Sequence, residues 1–389
     1  MTNSPTILIY VQHLLGIGHL KRAAAIARAL ADSGVRVVVA SGGLPEARVN
    51  LGGAELVQLP PAVSADAAFS AIRDAARRPI DEAWKAARRD ELLALFERLK
   101  PEALLTEMYP FGRRQFRFEL IPLLERAAAA AKRPVIACSV RDVLIAKSKP
   151  ERSRESADLV RKYFDLVLVH GDPRLIAFEA TFPLAHAIAD RLRYTGYVSE
   201  ISRQVPAPGQ RKHGEVLVSA GGGAVGMALL TAAIAAKPLS ALKGRTWRII
   251  AGNNLPEPDY ARLAGLAKPD PGIILEKFRS DFPALLQACH VSVSQGGYNT
   301  VMELIATRTP AVVVPFAEGQ ESEQSLRAGL LAKKGVLRVL PPEALTPTAL
   351  AAAIDGAAGL HPEAIDINLD GARVSASLLL EAMAGRSAS

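Results

Sequence analysis

The chain has 389 residues, of which 49% are hydrophobic, and it carries a formal net charge of +8. This length favours two domains over a single core, and sparse aromatic residues among abundant Ala, Val, Leu and Gly favour an α/β protein. No stretch of about 18 apolar residues is free of charge, which argues against a membrane-spanning helix, while the basic excess leaves an anionic partner open.

The first predicted elements are a strand, a glycine turn, a helix and a second strand. Residues 6–11 form a short apolar run that predicts a buried strand, and the turn after it contains Gly16 and Gly18. Leu20–Ala31 then repeats apolar residues at helical spacing, and Val35–Ala40 predicts the next strand. This order is typical of the opening of a doubly wound sheet.

The alternation continues to the middle of the chain. Residues 65–99 carry charges at helical spacing and predict one or two exposed helices. Further strands are predicted near residues 103–106, 134–139 and 165–169, with helical stretches between them.

A linker is predicted at residues 201–213, where prolines and glycine interrupt all periodicity. We therefore expect an N-terminal domain over residues 1–200 and a C-terminal domain over 214–389. The second domain opens as the first does, with a strand, a glycine turn and a helix. Its predicted strands lie at 215–220, 247–251, 273–275, 290–294 and 311–315, and its helices near 225–236, 258–266, 281–289, 299–307 and 321–334.

The strongest functional signal lies in residues 294–328. Gly296 and Gly297 follow a strand and precede a helix, so backbone N–H groups can approach a bound anion such as a diphosphate. Glu303, one turn into that helix, can accept hydrogen bonds from the two hydroxyls of a ribose. Glu323 and Gln324 begin the next predicted helix and are candidates for contact with sugar hydroxyls.

A second glycine-rich turn, Gly221–Gly223, predicts another anion-binding loop. A dinucleotide site would require an acidic residue about twenty positions further on. Residues 237–243 contain no acidic side chain, so the dinucleotide alternative is disfavoured. Two interpretations of this loop remain open: contact with a bound anionic ligand, and an ordinary tight turn.

His19 is the candidate general base. It lies where the first glycine loop meets the first helix, and a helix N-terminus disfavours the protonated imidazole. A neutral histidine can accept a proton from an acceptor hydroxyl. Contact of His19 with an acceptor phosphate is the alternative, and His13 is the second candidate for the base.

Residues 107–119 interleave aromatic and basic side chains after a predicted strand. Glu107 is a candidate acid or base, and Arg113 a candidate contact for an acceptor phosphate. Docking on an anionic membrane and a solvated basic helix face both remain open. The side chains that would serve membrane docking are Arg113, Arg114 and Arg117, with Phe111, Phe116 and Phe118 as apolar anchors.

The remaining signals concern His170, the cysteines and what is absent. His170 follows a predicted strand and is a candidate for lining the cleft between the domains. Cys138 and Cys289 lie in apolar segments, and the N-terminus has no signal-peptide pattern, so we expect reduced thiols in a cytoplasmic protein. The sequence lacks an Asp-x-Asp pair and a Walker motif. No metal and no cofactor are therefore expected.

Residues 294–328 resemble the donor-binding signature of GT-B glycosyltransferases, most closely that of the family 28 enzymes that form lipid II. Tyr298 and Asn299 depart from that signature, which has small apolar residues there. Residues 169–173 and 194–198 resemble a less characterised branch of predicted bacterial glycosyltransferases. The residues that match the signature are Gly296, Gly297, Thr300, Glu303, Pro315, Glu323, Gln324 and Ala328.

The resemblance implies a GT-B fold, with two Rossmann-like α/β domains facing each other across a cleft. It implies metal-independent, inverting transfer of a sugar from a nucleotide diphosphate donor, with UDP favoured, and a tail after about residue 370 that packs on the first domain. His19 is the expected catalytic residue, and Gly16, Gly18, Glu107, Arg113 and His170 are the expected acceptor contacts. The expected donor contacts are Gly221, Gly222, Gly223, Phe278, Gln295, Gly296, Gly297, Asn299, Thr300, Glu303, Glu323 and Gln324.

Two alternatives remain open at this point. One is a UDP-sugar epimerase or hydrolase on the same fold, and the other is a non-catalytic nucleotide-sugar-binding protein. The acceptor is not identified, and a lipid-linked acceptor and peripheral contact with the inner face of the membrane both remain open. Nucleic acid is not an expected partner, because no recognisable nucleic-acid-binding motif accompanies the charge.

Overall fold

The computed structural model describes residues 4–14, 17–47, 49–65, 71–144, 150–199, 214–221, 226–316, 323–362 and 367–387. The chain divides into two compact units. One comprises Met1–Glu200 with Asp370–Ser389, and the other comprises Ile201–Leu369. The predicted linker, residues 201–213, lies outside the described residues.

The N-terminal unit is built around a parallel sheet. Its elements in chain order are β1 (Thr6–Val11), α1 (Gly18–Asp32), β2 (Arg36–Ser41), β3 (Glu55–Gln58), β4 (Ala62–Ser64), β5 (Ile72–Asp74), α2 (Glu82–Leu99), β6 (Ala103–Glu107), α3 (Arg117–Ala128), β7 (Val135–Arg141), α4 (Pro150–Tyr163), β8 (Leu166–His170) and β9 (Leu192–Tyr194). The strand order of the main sheet is β3-β2-β1-β6-β7-β8-β9, and each neighbouring pair is parallel.

The sequence of β1 shows why this sheet is covered on both faces. All six of its residues are buried, and successive side chains of a strand point to opposite faces. Ile7 and Ile9 pack into one apolar cluster with α1. Leu8 and Tyr10 pack into a second cluster with α2 and α3. Continuous burial of this kind is typical of parallel strands covered by helices on both sides.

The C-terminal unit repeats this architecture. Its elements are β10 (Val216–Ser219), α5 (Met227–Ala236), β11 (Trp247–Ile250), α6 (Glu257–Ala267), β12 (Ile273–Glu276), α7 (Phe282–Ala288), β13 (Val291–Ser294), α8 (Tyr298–Thr307), β14 (Ala311–Val313), α9 (Glu323–Lys333), β15 (Arg338–Val339) and α10 (Pro347–Ala358). The parallel strands are ordered β12-β11-β10-β13-β14-β15. The α/β class predicted from the sequence is confirmed.

The last helix, α11 (Gly371–Ser387), belongs to the N-terminal unit. Ala376, Leu379 and Met383 are buried in the cluster that also contains side chains of α1 and β7. At its end, Arg386 forms an ion pair of 2.6 Å with Asp165. The C-terminal segment therefore completes one face of the first sheet.

The prediction of helix throughout residues 65–99 is wrong in its first half. β5 pairs antiparallel with β4 in a small separate sheet, and residues 66–70 lie outside the described part. Asp74 closes a tight turn by accepting hydrogen bonds from the backbone and side chain of Arg78. Asp81 then caps α2 by accepting a hydrogen bond from the Trp84 N–H. The charged spacing thus belongs to one helix that begins at Glu82.

Candidate active site

The first candidate site lies where the strand order of the N-terminal sheet reverses. β1 is bonded to both β2 and β6. The chain leaves β1 through α1 toward β2, and it leaves β6 through α3 toward β7 on the other side. Ligands of open α/β sheets bind at such a reversal, beyond the carboxyl ends of the strands. His19, in the first turn of α1, and Glu107, the last residue of β6, both lie there.

His19 and Glu107 form the central contact of this site. The Nδ1 atom of His19 lies 3.0 Å from Oε1 of Glu107. Arg22 Nη2 lies 3.2 Å from the same nitrogen and can only donate. The contact with the ionised carboxylate, which only accepts, is the shorter one, so we assign the hydrogen to Nδ1 and the lone pair of the ring to Nε2. The His19 side chain is 17% exposed. His19 therefore offers a basic nitrogen that its acidic partner does not occupy.

The protonation state of His19 follows from its surroundings. Burial, and after it the charge of Arg113, lowers the pKa of His19 to about 3 against the opposing effect of Glu107. His19 is thus neutral near pH 7. The sequence predicts this neutral state from the helix N-terminus, whereas in the structure burial and neighbouring cations account for it.

Glu107 is a buried anion and not a proton donor. Its side chain is 1% exposed and forms an ion pair with Arg22. Burial alone would raise the pKa of this carboxyl, but the Arg22 charge and the hydrogen bond with His19 hold the pKa below its usual range. The expectation that Glu107 acts as an acid or touches an acceptor is therefore corrected. It supports His19 from the protein interior.

His170 also lies behind this contact. Its side chain is 0% exposed, with Nε2 at 2.7 Å from Ser139 Oγ and Nδ1 at 2.9 Å from Thr195 Oγ1. Burial, with the charge of Arg22, lowers the pKa of His170 to about 3. The expected contact of His170 with an acceptor is corrected, because both ring nitrogens are engaged inside the unit.

Arg113 and His13 approach the same place from two loops. Arg113 has a left-handed backbone with φ of 58°, and its Nε donates a 2.7 Å hydrogen bond to the carbonyl of Gln12. His13 is buried, its Nε2 lies 3.0 Å from the carbonyl of Leu44, and its ring packs on Gly43. Arg113 remains a candidate for acceptor contact, whereas burial makes His13 a poor general base.

The two glycines expected in the acceptor loop differ in what the structure describes. Gly18 is the first residue of α1, is exposed, and has open space where a Cβ would stand. The side chain of the N-cap residue, Ile17, makes no capping hydrogen bond. Gly16 lies outside the described residues.

Sequence reasoning missed three residues of this site: Arg22, Ser139 and Thr195. Arg22 had a signal, because it follows His19 by three positions on a helix and therefore lies on the same face. Ser139 is an interior residue of β7 and Thr195 follows β9. Nothing in the sequence separates either of them from an ordinary buried polar residue.

The aromatic rings of the segment after β6 pack on the core of the N-terminal unit. Phe116 is fully buried, and the ring of Phe111 packs edge-on against Phe178. Arg114 and Arg117 both form ion pairs with Glu155. These contacts give the rings and the two arginines a structural role in the N-terminal unit, and membrane docking of this segment stays a prediction.

The second candidate site lies where the C-terminal sheet reverses, between β10 and β13. Gly296 has φ of 73°, and a Cβ there would clash with Val313. Gly297 is the N-cap of α8, with open space around it and no capping hydrogen bond from a side chain. The backbone N–H groups that begin α8 therefore lie beyond the strand ends, in the arrangement that binds anions.

The other glycine loop leads into α5, whose N-cap, Gly226, also makes no capping hydrogen bond from a side chain. Gly221 has φ of 60° and follows β10 after one intervening residue, Ala220. Gly222 and Gly223 lie outside the described residues. Gly221 and Gly296 thus follow adjacent strands whose last residues, Ser219 and Ser294, are paired in register.

The remaining expected donor contacts surround these loops. Thr300 and Glu303 are three positions apart on α8 and half-buried on one face of it. Gln324 Oε1 accepts a 3.0 Å hydrogen bond from the backbone N–H of Phe316, so this oxygen already ties α9 to the segment after β14. Gln295 is half-buried, Asn299 is exposed, Phe278 is 59% exposed, and the side chain of Glu323 lies outside the described part.

Among the described residues, no group of three or more His, Cys, Asp and Glu side chains is placed to hold a metal ion. No helix in the same part of the chain is long and apolar enough to cross a membrane. Cys138 and Cys289 are both buried, and the Cys289 thiol donates a hydrogen bond to the carbonyl of Leu286.

Comparison with known proteins places the second site in a recognised domain. Residues 216–359 match the model of the glycosyltransferase family 28 C-terminal domain. A UDP-N-acetylglucosamine--N-acetylmuramyl-(pentapeptide) pyrophosphoryl-undecaprenol N-acetylglucosamine transferase of Rhodopseudomonas palustris is 30% identical over 171 residues, which are 43% of this chain and 45% of that protein. The enzyme with the same name from Methylorubrum populi is 37% identical over 81 residues, or 21% and 22% of the two chains. The chain thus matches less than half the length of these relatives.

Solved structures match the whole chain. The calicheamicin glycosyltransferase CalG4 has a TM-score of 0.63 at 17% identity, covering 100% of this chain and 98% of that one. MurG of Acinetobacter baumannii has a TM-score of 0.60 at 15% identity, covering 97% and 100%. At these identities the likeness establishes the fold. The predicted GT-B fold and the resemblance to family 28 glycosyltransferases are confirmed.

Proposed function

From the family 28 glycosyltransferase C-terminal domain that residues 216–359 match, we propose that this protein transfers a sugar from a nucleotide diphosphate donor to an acceptor hydroxyl. UDP is the favoured nucleotide, because the relatives named above use a UDP-sugar. The proposed transfer needs no metal ion and inverts the anomeric carbon. The C-terminal unit binds the donor, and the N-terminal unit supplies the general base.

The observation that carries the proposal is the hydrogen bond between His19 and buried Glu107. The lone pair on Nε2 of His19 accepts the proton of the acceptor hydroxyl as its oxygen attacks the anomeric carbon. The bond from that carbon to the diphosphate breaks, and its electron pair leaves with the nucleoside diphosphate. Glu107 stabilises the imidazolium that forms, since its carboxylate accepts the hydrogen on Nδ1.

The leaving group in this proposal is held by backbone N–H groups. α5 and α8 begin without capping hydrogen bonds from side chains, so their first N–H groups can donate to the diphosphate, and the helix dipoles favour its negative charge. Glu303 accepts hydrogen bonds from the ribose hydroxyls. Backbone donors of this kind would meet the developing charge without a metal ion.

The acceptor we propose is a hydroxyl group of a lipid-linked intermediate. The support comes from the relatives, whose names specify a pyrophosphoryl-undecaprenol acceptor. The matched segments cover less than half of those proteins, so their acceptor does not transfer directly to this chain. The acceptor is therefore tested in the same assay as the reaction.

The donor half is tested by thermal shift with UDP, dTDP, GDP and ADP in the absence of added metal. A nucleotide at about 100 times its dissociation constant should stabilise the unit by about 2.7 kcal/mol. The variant Glu303→Ala should lose the shift. Glu343→Ala, which alters an exposed carboxylate in a surface turn of the same unit, should keep it. A shift that survives in Glu303→Ala would contradict the ribose contact.

The catalytic half is tested in a transfer assay. The donor is a sugar linked to the nucleoside diphosphate that gives the thermal shift, and the acceptors are linked to undecaprenyl diphosphate. His19→Ala should lower kcat by about 100- to 10,000-fold, as expected for loss of a general base. His186→Ala, an exposed histidine of the same unit, should not change kcat. UDP release without acceptor would favour an epimerase or hydrolase, and donor binding with no turnover would favour a non-catalytic binder.

A further inference from the structure

The two oxygens of the Glu107 carboxylate contact different histidine systems. Oε1 receives hydrogen bonds from His19 and Arg22. Oε2 accepts a 2.5 Å hydrogen bond from Ser139, whose Oγ lies 2.7 Å from Nε2 of His170. Nδ1 of His170 then lies 2.9 Å from Thr195 Oγ1. A buried row of polar groups thus runs from the candidate base into the N-terminal unit, through the last residues of β6 and β8, an interior residue of β7 and the residue after β9.

The number of hydrogens in this row limits which group donates and which accepts in each contact. Four consecutive contacts link the Glu107 carboxylate to the Gly196 carbonyl, and the last of them, from Thr195 Oγ1 to that carbonyl, is 2.8 Å. The carboxylate and the carbonyl supply no hydrogen, the two hydroxyls supply one each, and a neutral imidazole supplies one. Thr195 Oγ1 also lies 3.3 Å from the carbonyl of Val169, so three hydrogens must serve five contacts.

The ionised carboxylate is the strongest acceptor in the row, so the Ser139 hydrogen is directed to Glu107. The 2.7 Å contact between Ser139 and His170 then needs a hydrogen on Nε2 of His170. Nδ1 of that ring then accepts from Thr195, and the two contacts left without a hydrogen are those of Thr195 with the Gly196 carbonyl at 2.8 Å and the Val169 carbonyl at 3.3 Å, both longer than the Ser139–His170 contact. His170 is thereby the Nε2–H tautomer, whereas His19 is the Nδ1–H tautomer.

We propose that His170 is a positioning residue of the transferase reaction, which acts through Ser139 to hold Glu107 Oε2 and thereby keeps Oε1 on Nδ1 of His19. His170 touches no substrate, since it has no exposed surface. Ser139 is the shortest-distance partner of Oε2, because the Arg22 Nε contact to the same oxygen is 3.4 Å. The inference rests on the proposed role of His19 as the general base.

The experiment uses the full-length chain labelled with ¹⁵N on histidine. NMR of the ring nitrogens reports tautomer and pKa without any substrate, and His19→Gln identifies the His19 signals. We expect the Nδ1–H form for His19 and the Nε2–H form for His170. His170→Leu should remove the dominant Nδ1–H form of His19, whereas His170→Gln, whose amide can donate to Ser139 as Nε2 does, should retain it.

Kinetics give the second readout. His170→Leu should lower kcat by about 10- to 100-fold, as for a misplaced catalytic group, with little change in KM for the donor, and His170→Gln should recover most of the loss. If His170→Leu does not fold, Ser139→Ala interrupts the same row and serves in its place. Unchanged His19 spectra in the folded variant would overturn the proposal. Full turnover in His19→Ala would instead overturn the proposed base, and the spectra would still test the positioning.

Discussion

At the scale of single residues, the candidate base is defined by one carboxylate shared between two neutral histidines. Glu107 contacts His19 directly and His170 through Ser139. Arg22 pairs with Glu107 and lowers both histidine pKa values, so the carboxylate offsets the effect of burial on the two rings only in part. This is why burial lowers both histidine pKa values to about 3. Both rings are therefore neutral near pH 7, and in the proposed reaction only His19 takes up the proton of the acceptor hydroxyl.

The same pKa values predict acid sensitivity of the fold. The unfolded chain protonates each of these histidines near pH 6.5, whereas the folded chain does so near pH 3. Between these values the unfolded state binds more protons, so the free energy of unfolding falls as the pH falls. Each histidine should contribute a slope of about 1 kcal/mol per pH unit between pH 6 and pH 5.

Urea unfolding at pH 5, 5.5 and 6 measures this slope. His170→Gln should reduce it by the contribution of one histidine, and His186→Ala, an exposed site, should not. Equal slopes in His170→Gln and the unaltered chain would contradict the assignment of a low pKa to His170.

At the scale of elements, the two sheets place uncapped helices at the points where their strand orders reverse. α1, α5 and α8 begin without capping hydrogen bonds from side chains, as α3, α6 and α7 also do, whereas α2 and α10 are capped by Asp81 and Thr346. Capping ordinarily stabilises a helix by about 1 kcal/mol. Its absence at α1, α5 and α8 leaves their first N–H groups available to a ligand.

The two glycines before α8 should separate folding from binding. Gly296→Ala should lower the free energy of unfolding by about 1–3 kcal/mol or more, because φ is positive and the new methyl group meets Val313. Gly297→Ala should change stability by less than about 1 kcal/mol, since the space around it is open. It should nevertheless weaken the thermal shift by the nucleoside diphosphate, because its methyl group would stand at the start of α8. A full shift in Gly297→Ala would argue against anion binding at this helix end.

At the scale of the whole molecule, the N-terminal unit depends on both ends of the chain. The chain returns to it at Gly371, whose N–H donates a 3.0 Å hydrogen bond to the carbonyl of Tyr197. Val198 and Asp370 form an antiparallel bridge beside this bond. α11 then covers one face of the first sheet with α1. The unit that holds His19 is therefore complete only after the C-terminal unit has been synthesised.

Leu379→Ala tests this dependence. Leu379 is fully buried between α11 and its neighbours, so the substitution should lower the free energy of unfolding of the N-terminal unit by about 2–5 kcal/mol. Nucleotide binding by the C-terminal unit should be retained. Ser377→Ala, on the exposed side of the same helix, should leave both unchanged. Calorimetry with and without the nucleotide measures the stability of the N-terminal unit and nucleotide binding by the C-terminal unit. Loss of binding in Leu379→Ala would contradict the independence of the two units.

The sequence by itself determined the α/β class, the strand, turn and helix that open each unit, and the glycine turns, because each depends on local periodicity and on conformations that glycine adopts readily. It also placed His19 and Glu107 in functional segments. Only the tertiary structure decided that Glu107 is a buried anion on His19, that His170 lies behind Ser139, and that the phenylalanines after β6 belong to the core. These facts depend on pairing between strands distant in the chain, as between Glu107 and Ser139. Burial and partners, which follow from that pairing, set each group's charge.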